Sequence, residues 1–192
     1  ILTAYWLADK GAKNLLLLGR SKPSKYALQE IAKLEQQGVT VDVIQTDITD
    51  YNALQNTIGA YHDTPLQGII HAAGILDDSA IQNMTSQQME NVLQPKVAGA
   101  LNLHNLTKNI NLDFFILFSS AVSLLGSPGQ ANHVAANTFL DTLAHYRHSL
   151  GLPAMSINWG TWSSIGAAAE KLADTRMSQL GVNAIAPEQG IA

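Results

Sequence analysis

Five short apolar runs alternate with longer amphipathic ones along the chain. "NLLLLGR" (14–20), "VTVDVIQTD" (39–47), "LQGIIHAAG" (66–74), "DFFILFSS" (113–120) and "PAMSINWG" (153–160) read as strands. Three of them are nearly continuous Leu, Ile or Phe, the pattern of strands buried on both faces of a parallel sheet. Helical periodicity fills 2–11, 24–37, 50–61, 85–108 and 131–150, and more weakly 168–180. Thr85 stands as an N-cap before "SQQMENVLQPK". Pro95, inside that helix, removes one hydrogen bond and predicts a kink or shift there. Strand–helix alternation of this kind predicts an α/β fold with a doubly wound parallel sheet. With no internal repeat, low-complexity tract or linker, residues 1–192 read as a single domain.

"ILTAYWLADKGA" opens inside a helical pattern with no strand before it, and Pro187 with Glu188 looks like a first helical turn. A doubly wound fold begins with a strand and a glycine-rich turn. The expectation is therefore a domain truncated at both ends, without its first and final strands. Lacking the central strand, its apolar edges would be exposed, and the helix N-terminus that binds pyrophosphate would be lost. Residues 1–192 alone are expected neither to fold well nor to bind a dinucleotide tightly.

Composition narrows the classes of function. The formal charge is −4 with 11 Lys+Arg and no basic run, which leaves no electrostatic footprint for nucleic acid. No apolar stretch approaches the roughly 20 residues that span a bilayer, and no signal peptide is recognisable. The chain has no cysteine, which excludes disulfide scaffolds and thiolate zinc sites and fits a reducing, cytoplasmic setting. His145 and His148 lie three apart on a helix, but no third ligand has compatible spacing, so no metal site is expected. "YHDTP" (61–65) reads as a surface turn.

Ligands of open parallel sheets bind beyond the carboxyl ends of the strands. The residues at those ends are Gly19, Arg20 and Ser21, then Asp47 and Ile48, then Ala72, Ala73 and Gly74, then Ser119 and Ser120, then "NWGTW". Arg20 is suited to the 2′-phosphate of an adenine dinucleotide, although a solvated surface arginine reads the same way. Asp47 suits either contact with adenine or capping of the next helix. His133 and Asn137, four apart, share one helix face. Trp159 and Trp162 could wall a pocket beneath a lid at 163–180 or pack in the core.

"GAKNLLLLGRS", "HAAGILDDS", "LQPKVAGALNLH", "FILFSSAVSLLGSPGQANHVAANTFLDTLA" and "INWGTWSSIGAAA" together resemble the ketoreductase domain of modular polyketide synthases. That family is a branch of the short-chain dehydrogenase/reductases. The resemblance implies a Rossmann-like sheet and reduction of a β-ketoacyl thioester on an acyl carrier protein, with hydride from NADPH, among neighbouring synthase domains. It puts the catalytic lysine at Lys96, also a ribose contact, the serine at Ser120 and the asparagine at Asn137. The catalytic tyrosine position is His133. "ILDDS" resembles the Leu-Asp-Asp motif of B-type ketoreductases, which form the D-hydroxyl, and makes Leu76, Asp77 and Asp78 stereocontrol candidates beside Trp159. The tryptophan that marks the opposite type is replaced by Leu125, although Asp77 and Asp78 also fit a solvated turn. A free-standing reductase with Tyr-x-x-x-Lys on one helix is disfavoured, because position 137 is Asn and the lysine precedes it at 96.

Hydride delivered to a ketone carbon leaves negative charge on its oxygen, which positioned hydroxyls stabilise while a nearby acid supplies a proton. Imidazole is shorter than a phenol, and a neighbouring Lys96 ammonium lowers its pKa. Losing a positioned general acid costs about 10²–10⁴ in rate. A silent domain, a weak reductase using His133, and a single-base error in the sequence are the three readings, with impaired activity expected of the chain as written.

Overall fold

The computed structural model describes residues 1–61, 65–163 and 184–191. Its elements run in order α1 (Leu2–Asp9), β1 (Asn14–Gly19), α2 (Lys25–Gln36), β2 (Thr40–Gln45), α3 (Tyr51–Gly59) and β3 (Gly68–His71). A 3-10 turn (Ile81–Asn83) leads into α4 (Ser86–Leu93), a π-helical turn (Gln94–Ala98) and α5 (Gly99–Thr107). Then come β4 (Phe114–Ser120), α6 (Val122–Leu125), α7 (Ala131–Ser149), β5 (Met155–Trp159) and α8 (Pro187–Ile191). The expected helix at 168–180 lies outside the described residues, as do 62–64 of the "YHDTP" turn and all of the expected lid but Ser163.

All strand pairings are parallel, as the buried apolar runs require. The strands form a two-stranded sheet, β1–β2, and a three-stranded sheet in the order β3–β4–β5. Among the described residues β1 and β3 each pair on one side only. Burial departs from the expectation of strands covered on both faces. In β4, Phe115, Leu117 and Ser119 are buried while the residues between them are half-buried. In β2, Val43 is 41% exposed. β4 has a neighbour on each side, so its alternation reflects two faces covered to different extents rather than a missing pairing.

Two cores correspond to the two sheets. Ala4, Leu15, Ile31, Leu34, Val39 and Val41 pack around β1–β2. Leu54, Ile69, Leu103, Phe115, Leu117, Leu140 and Leu143 pack around β3–β4–β5. Each fully buried Leu or Phe contributes about 1.5–3 kcal/mol. On α7 the buried positions include Asn132, Ala136, Asn137, Leu140, Leu143, Ala144 and Arg147, a stripe at helical spacing. Its apolar members anchor the helix to β4, so its two asparagines are carried inward.

Three local details position the site. Thr85 caps α4 through a capping box with Gln88, as its sequence predicts. Pro95 does not bend the helix into a simple kink. The missing N–H is absorbed by the π-helical turn, which rotates Lys96 inward until it is 7% exposed. α6 was hidden in the sequence between serines and glycines; it ends at Gly126, whose φ of 72° suits glycine.

Candidate active site

β4 ends in Ser119 and Ser120, and the N-terminal half of α7 packs against it. Ser119 Oγ donates to Asn137 O at 3.2 Å, and Asn137 Nδ2 donates to His133 O at 2.7 Å. Lys96 Nζ donates to Phe118 O at 2.9 Å. Thus Lys96, Ser120, His133 and Asn137 are gathered around one strand tip. Among the described residues Ser120 Oγ accepts a long 3.5 Å contact from the Val122 N–H and donates to none of them.

The electrostatics follow from burial. Desolvation, reinforced by the Lys96 charge and opposed by Asp78, lowers His133 to about 4. Lys96 was expected to be the cause; burial is the larger one, and at neutral pH the imidazole is neutral. Desolvation likewise lowers Lys96 to about 8, against the Asp141 charge, which holds it up. His71, at the end of β3 and 3% exposed, is lowered to about 4 by burial and then by Lys96, while a hydrogen bond to the Pro95 backbone opposes both.

Among the described residues five buried side-chain atoms have no hydrogen-bond partner: His71 Nε2, Asp78 Oδ1, His133 Nδ1, Asn137 Oδ1 and Trp159 Nε1. Buried polar atoms are ordinarily satisfied by protein or water. His71 and Trp159 close β3 and β5, His133 and Asn137 face β4 from α7, and Asp78 follows β3. The orphaned atoms therefore belong to the carboxyl ends of neighbouring strands, where a ligand would meet them.

The "ILDDS" turn is held in place rather than solvated. Asp77 accepts from Gln88 Nε2 at 3.2 Å and Asn91 Nδ2 at 3.0 Å, and Asp78 accepts from Gln130 Nε2 at 3.0 Å. Asn132 Nδ2 donates to Asp77 O at 2.8 Å and Gln88 O at 3.1 Å, while its Oδ1 accepts from the His133 N–H. Leu76 is half-buried beside it. Leu125 lies on α6, 69% exposed. Trp159 meets Phe118 edge to face (5.4 Å between ring centres) and Trp162 at a tilt (4.8 Å). Sequence reading missed Asn132, His71, Asp141 and Asn158; for Asn132 its place next to His133 on the buried stripe was the available signal.

The cofactor candidates divide into two groups. Arg20 and Asp47 line a 250 Å³ cleft with Thr49, Ile75, Asn91 and Pro95. Ser21, Ala72, Ala73 and Gly74 are exposed at their strand ends. A Cβ at Gly74 would stand 3.0 Å from Lys96 Cε, so a larger residue there would press on the lysine. Asp47 Oδ1 accepts from the Thr49 N–H and hydroxyl, while Asp50 caps α3, so helix capping is not the task of Asp47. The Ile48 side chain is buried in the core, and its carbonyl accepts from Asn102 Nδ2. A cation, a small-residue run and a buried ammonium along one edge fit a phosphorylated dinucleotide. A larger groove of 430 Å³ along Ile81, Met84, Met89 and Leu93 contains none of these residues. His145 and His148 are exposed, and no group of three metal-ligating side chains occurs among the described residues. No helix among them is long and apolar enough to cross a membrane.

The parallel α/β fold matches the Rossmann-like fold of short-chain dehydrogenase/reductase ketoreductases. Within that class the chain belongs to the KR domain family, whose model matches residues 1–164. It is 40% identical over its whole length to 8% of a phenolphthiocerol/phthiocerol polyketide synthase polypeptide of Mycobacterium tuberculosis. It is 39% identical, again over its whole length, to 5% of the polyketide synthase GfsE of Streptomyces halstedii. A structure of A-type ketoreductases from a modular polyketide synthase superposes on 97% of the chain with a TM-score of 0.93 and 38% identity, the chain covering 40% of it. A ketoreductase domain from the bacillaene assembly line gives 0.92 over 99% of the chain at 33% identity, with 48% of it covered. The chain thus spans a small part of its synthase relatives and less than half of each of these two structures.

Proposed function

We propose that this ketoreductase domain binds NADPH and is built to reduce a β-ketoacyl thioester, carried by an acyl carrier protein, to the β-hydroxyacyl thioester. The observation that carries the reading is the set of orphaned buried polar atoms gathered with Lys96 and Ser120 at the β4 tip. NADPH supplies the hydride. Arg20 and Asp47 would hold its adenosine end and Lys96 its ribose, with Ser21, Ile48, Ala72, Ala73 and Gly74 forming the backbone edge. Ser120 donates to the ketone oxygen as charge develops there. Asn137, with a free buried Oδ1, accepts a proton-relay water. His133 stands where the proton donor belongs, but as a neutral imidazole with a single N–H, so turnover is impaired.

The fixed Asp77–Asp78 turn and the absence of a tryptophan at Leu125 support the B-type, D-hydroxyl outcome, with Leu76 and Trp159 flanking the substrate. The absence of cysteine supports a cytoplasmic setting. The second reading, a domain retained as a structural element of its synthase, is favoured by one observation alone, the residue at position 133. NADPH fluorescence titration of the full-length polypeptide tests the cofactor claim: binding with preference over NADH is expected, and no binding would favour the structural reading. Chiral analysis of the product from a short β-ketoacyl thioester tests the stereochemical one, with the L-hydroxyl as the contradicting result.

A further inference from the structure

Asp141 lies on α7, four residues beyond Asn137 and eight beyond His133, and takes no part in the reaction described above. Its carboxylate nonetheless accepts three side-chain hydrogen bonds from two neighbouring elements. Oδ2 accepts from Ser123 Oγ at 2.6 Å and Asn158 Nδ2 at 2.9 Å, and Oδ1 accepts from Ser156 Oγ at 2.5 Å. Asn158 Nδ2 also lies 3.4 Å from Ser119 Oγ and 3.4 Å from Ser120 O. Ser119 in turn donates to the Asn137 carbonyl. One carboxylate thereby joins α7, β5, α6 and the end of β4, the four elements that meet at Ser120.

We propose that Asp141 is a positioning residue of this site: through Asn158 it ties α7 to the tip of β4, the strand whose Phe118 carbonyl holds Lys96, and its charge supports that ammonium. The inference rests on the reading of this tip as the reductase site, but each half of it can be observed without catalysis.

The charge half follows from what surrounds Lys96. Its ammonium is buried and donates to a backbone carbonyl, which offers only a partial charge. His71 faces it from β3 and His133 from α7, and burial keeps both neutral above about pH 4. Glu90 on α4 lies within 3.4 Å of Gln94, and His104 on α5 pairs with Arg147. Asp78 acts on His133. Asp141 is the carboxylate whose charge favours the ammonium of Lys96. Burial raises the Asp141 carboxyl, but donors from Ser123, Ser156, Ser119 and Asn158 outweigh it and leave it below its usual range, so its charge persists. Of His71, His133 and Lys96, only Lys96, at about 8, titrates near neutral pH.

The test is the pH dependence of Lys96 acylation in the full-length polypeptide, read at that residue by peptide mass spectrometry. Asp141→Asn is expected to move the midpoint down by about one pH unit. It is also expected to weaken NADPH binding several-fold at pH 7.5. An unchanged midpoint overturns the proposal. A shifted midpoint in a protein that binds no NADPH, before or after substitution, would sink the cofactor reading and leave this inference standing. Should Asp141→Asn fail to fold, the Ser123→Ala, Ser156→Ala double variant decides, because it withdraws two of the donors that join α7 to α6 and β5. In it, amide exchange should accelerate across residues 119–125 and not across β1 or β2. Unchanged exchange at 119–125 overturns the proposal.

Discussion

The tips of β1 and β4 are built by opposite means. At β1 the functional candidates Arg20 and Ser21 are exposed, and their surroundings are largely solvent. At β4 the candidates are wholly or partly buried, hydrogen-bonded through four elements, and two of them titrate far from their ordinary values. An exposed cation recognises a phosphate by charge alone, at a distance and subject to salt. Stabilising an oxyanion takes donors fixed in place with water excluded. Substitutions at β4 should therefore act on chemistry, and those at β1 on binding.

The largest effect expected is at β4. In a His133→Tyr background, Ser120→Ala should lower kcat by about 10²–10³ with little change in NADPH affinity, measured by single-turnover NADPH oxidation. A loss confined to affinity would erase the contrast between the tips. Next is Arg20→Ala, which removes a charged hydrogen-bond donor worth about 1.5–3 kcal/mol. NADPH should bind some ten- to a hundred-fold more weakly, NADH should be unaffected, and the salt dependence of NADPH binding should flatten in fluorescence titrations.

Acid sharpens the comparison. His71 titrates at about 4 in the fold and near 6.5 in the unfolded chain. Above pH 6.5 neither state is protonated and the group contributes nothing. Between pH 6.5 and pH 4 the unfolded chain takes up a proton that the folded one refuses, so stability falls as the pH falls. At about 1.4 kcal/mol per pH unit the full loss is on the order of 3 kcal/mol. Urea melts of the full-length polypeptide at pH 7 and pH 4.5 should show it, and His71→Asn should reduce it. The smallest effect is expected at the helix that holds Asp77. Thr85→Ala removes the α4 cap at a cost of about 1 kcal/mol, seen as a drop in Tm of a few degrees.

The sequence made the strands and main helices legible because Leu, Ile and Phe runs and 3.6-residue periodicity are local signals. It placed Thr85 as a cap for the same reason. Strand ends were overextended: 66–74 shrinks to Gly68–His71 because the pairing of β3 with β4 ends at His71. At Pro95 a kink or a shift was expected and a π-helical turn is found, because the proline shows only the lost N–H, not where neighbouring carbonyls find new partners. α6 escaped because four residues between glycines and serines carry no period. Around the site, His133 and Asn137 were visible at four-residue spacing. Asp141 and Asn158 were not, since a carboxylate on a helix and an asparagine on a strand reveal their meeting only after β5 is laid beside β4. The dominance of burial over Lys96 in lowering His133 was equally invisible, because desolvation belongs to the fold and not to any pair of residues.

The central claim is that the site is intact apart from its proton donor. NADPH oxidation against a short β-ketoacyl thioester, with His133 compared with His133→Tyr in the full-length polypeptide, tests it most directly. The account predicts a gain of about 10²–10⁴ for the tyrosine variant at unchanged NADPH affinity. Equal rates for the two forms, or no turnover in either, would contradict it.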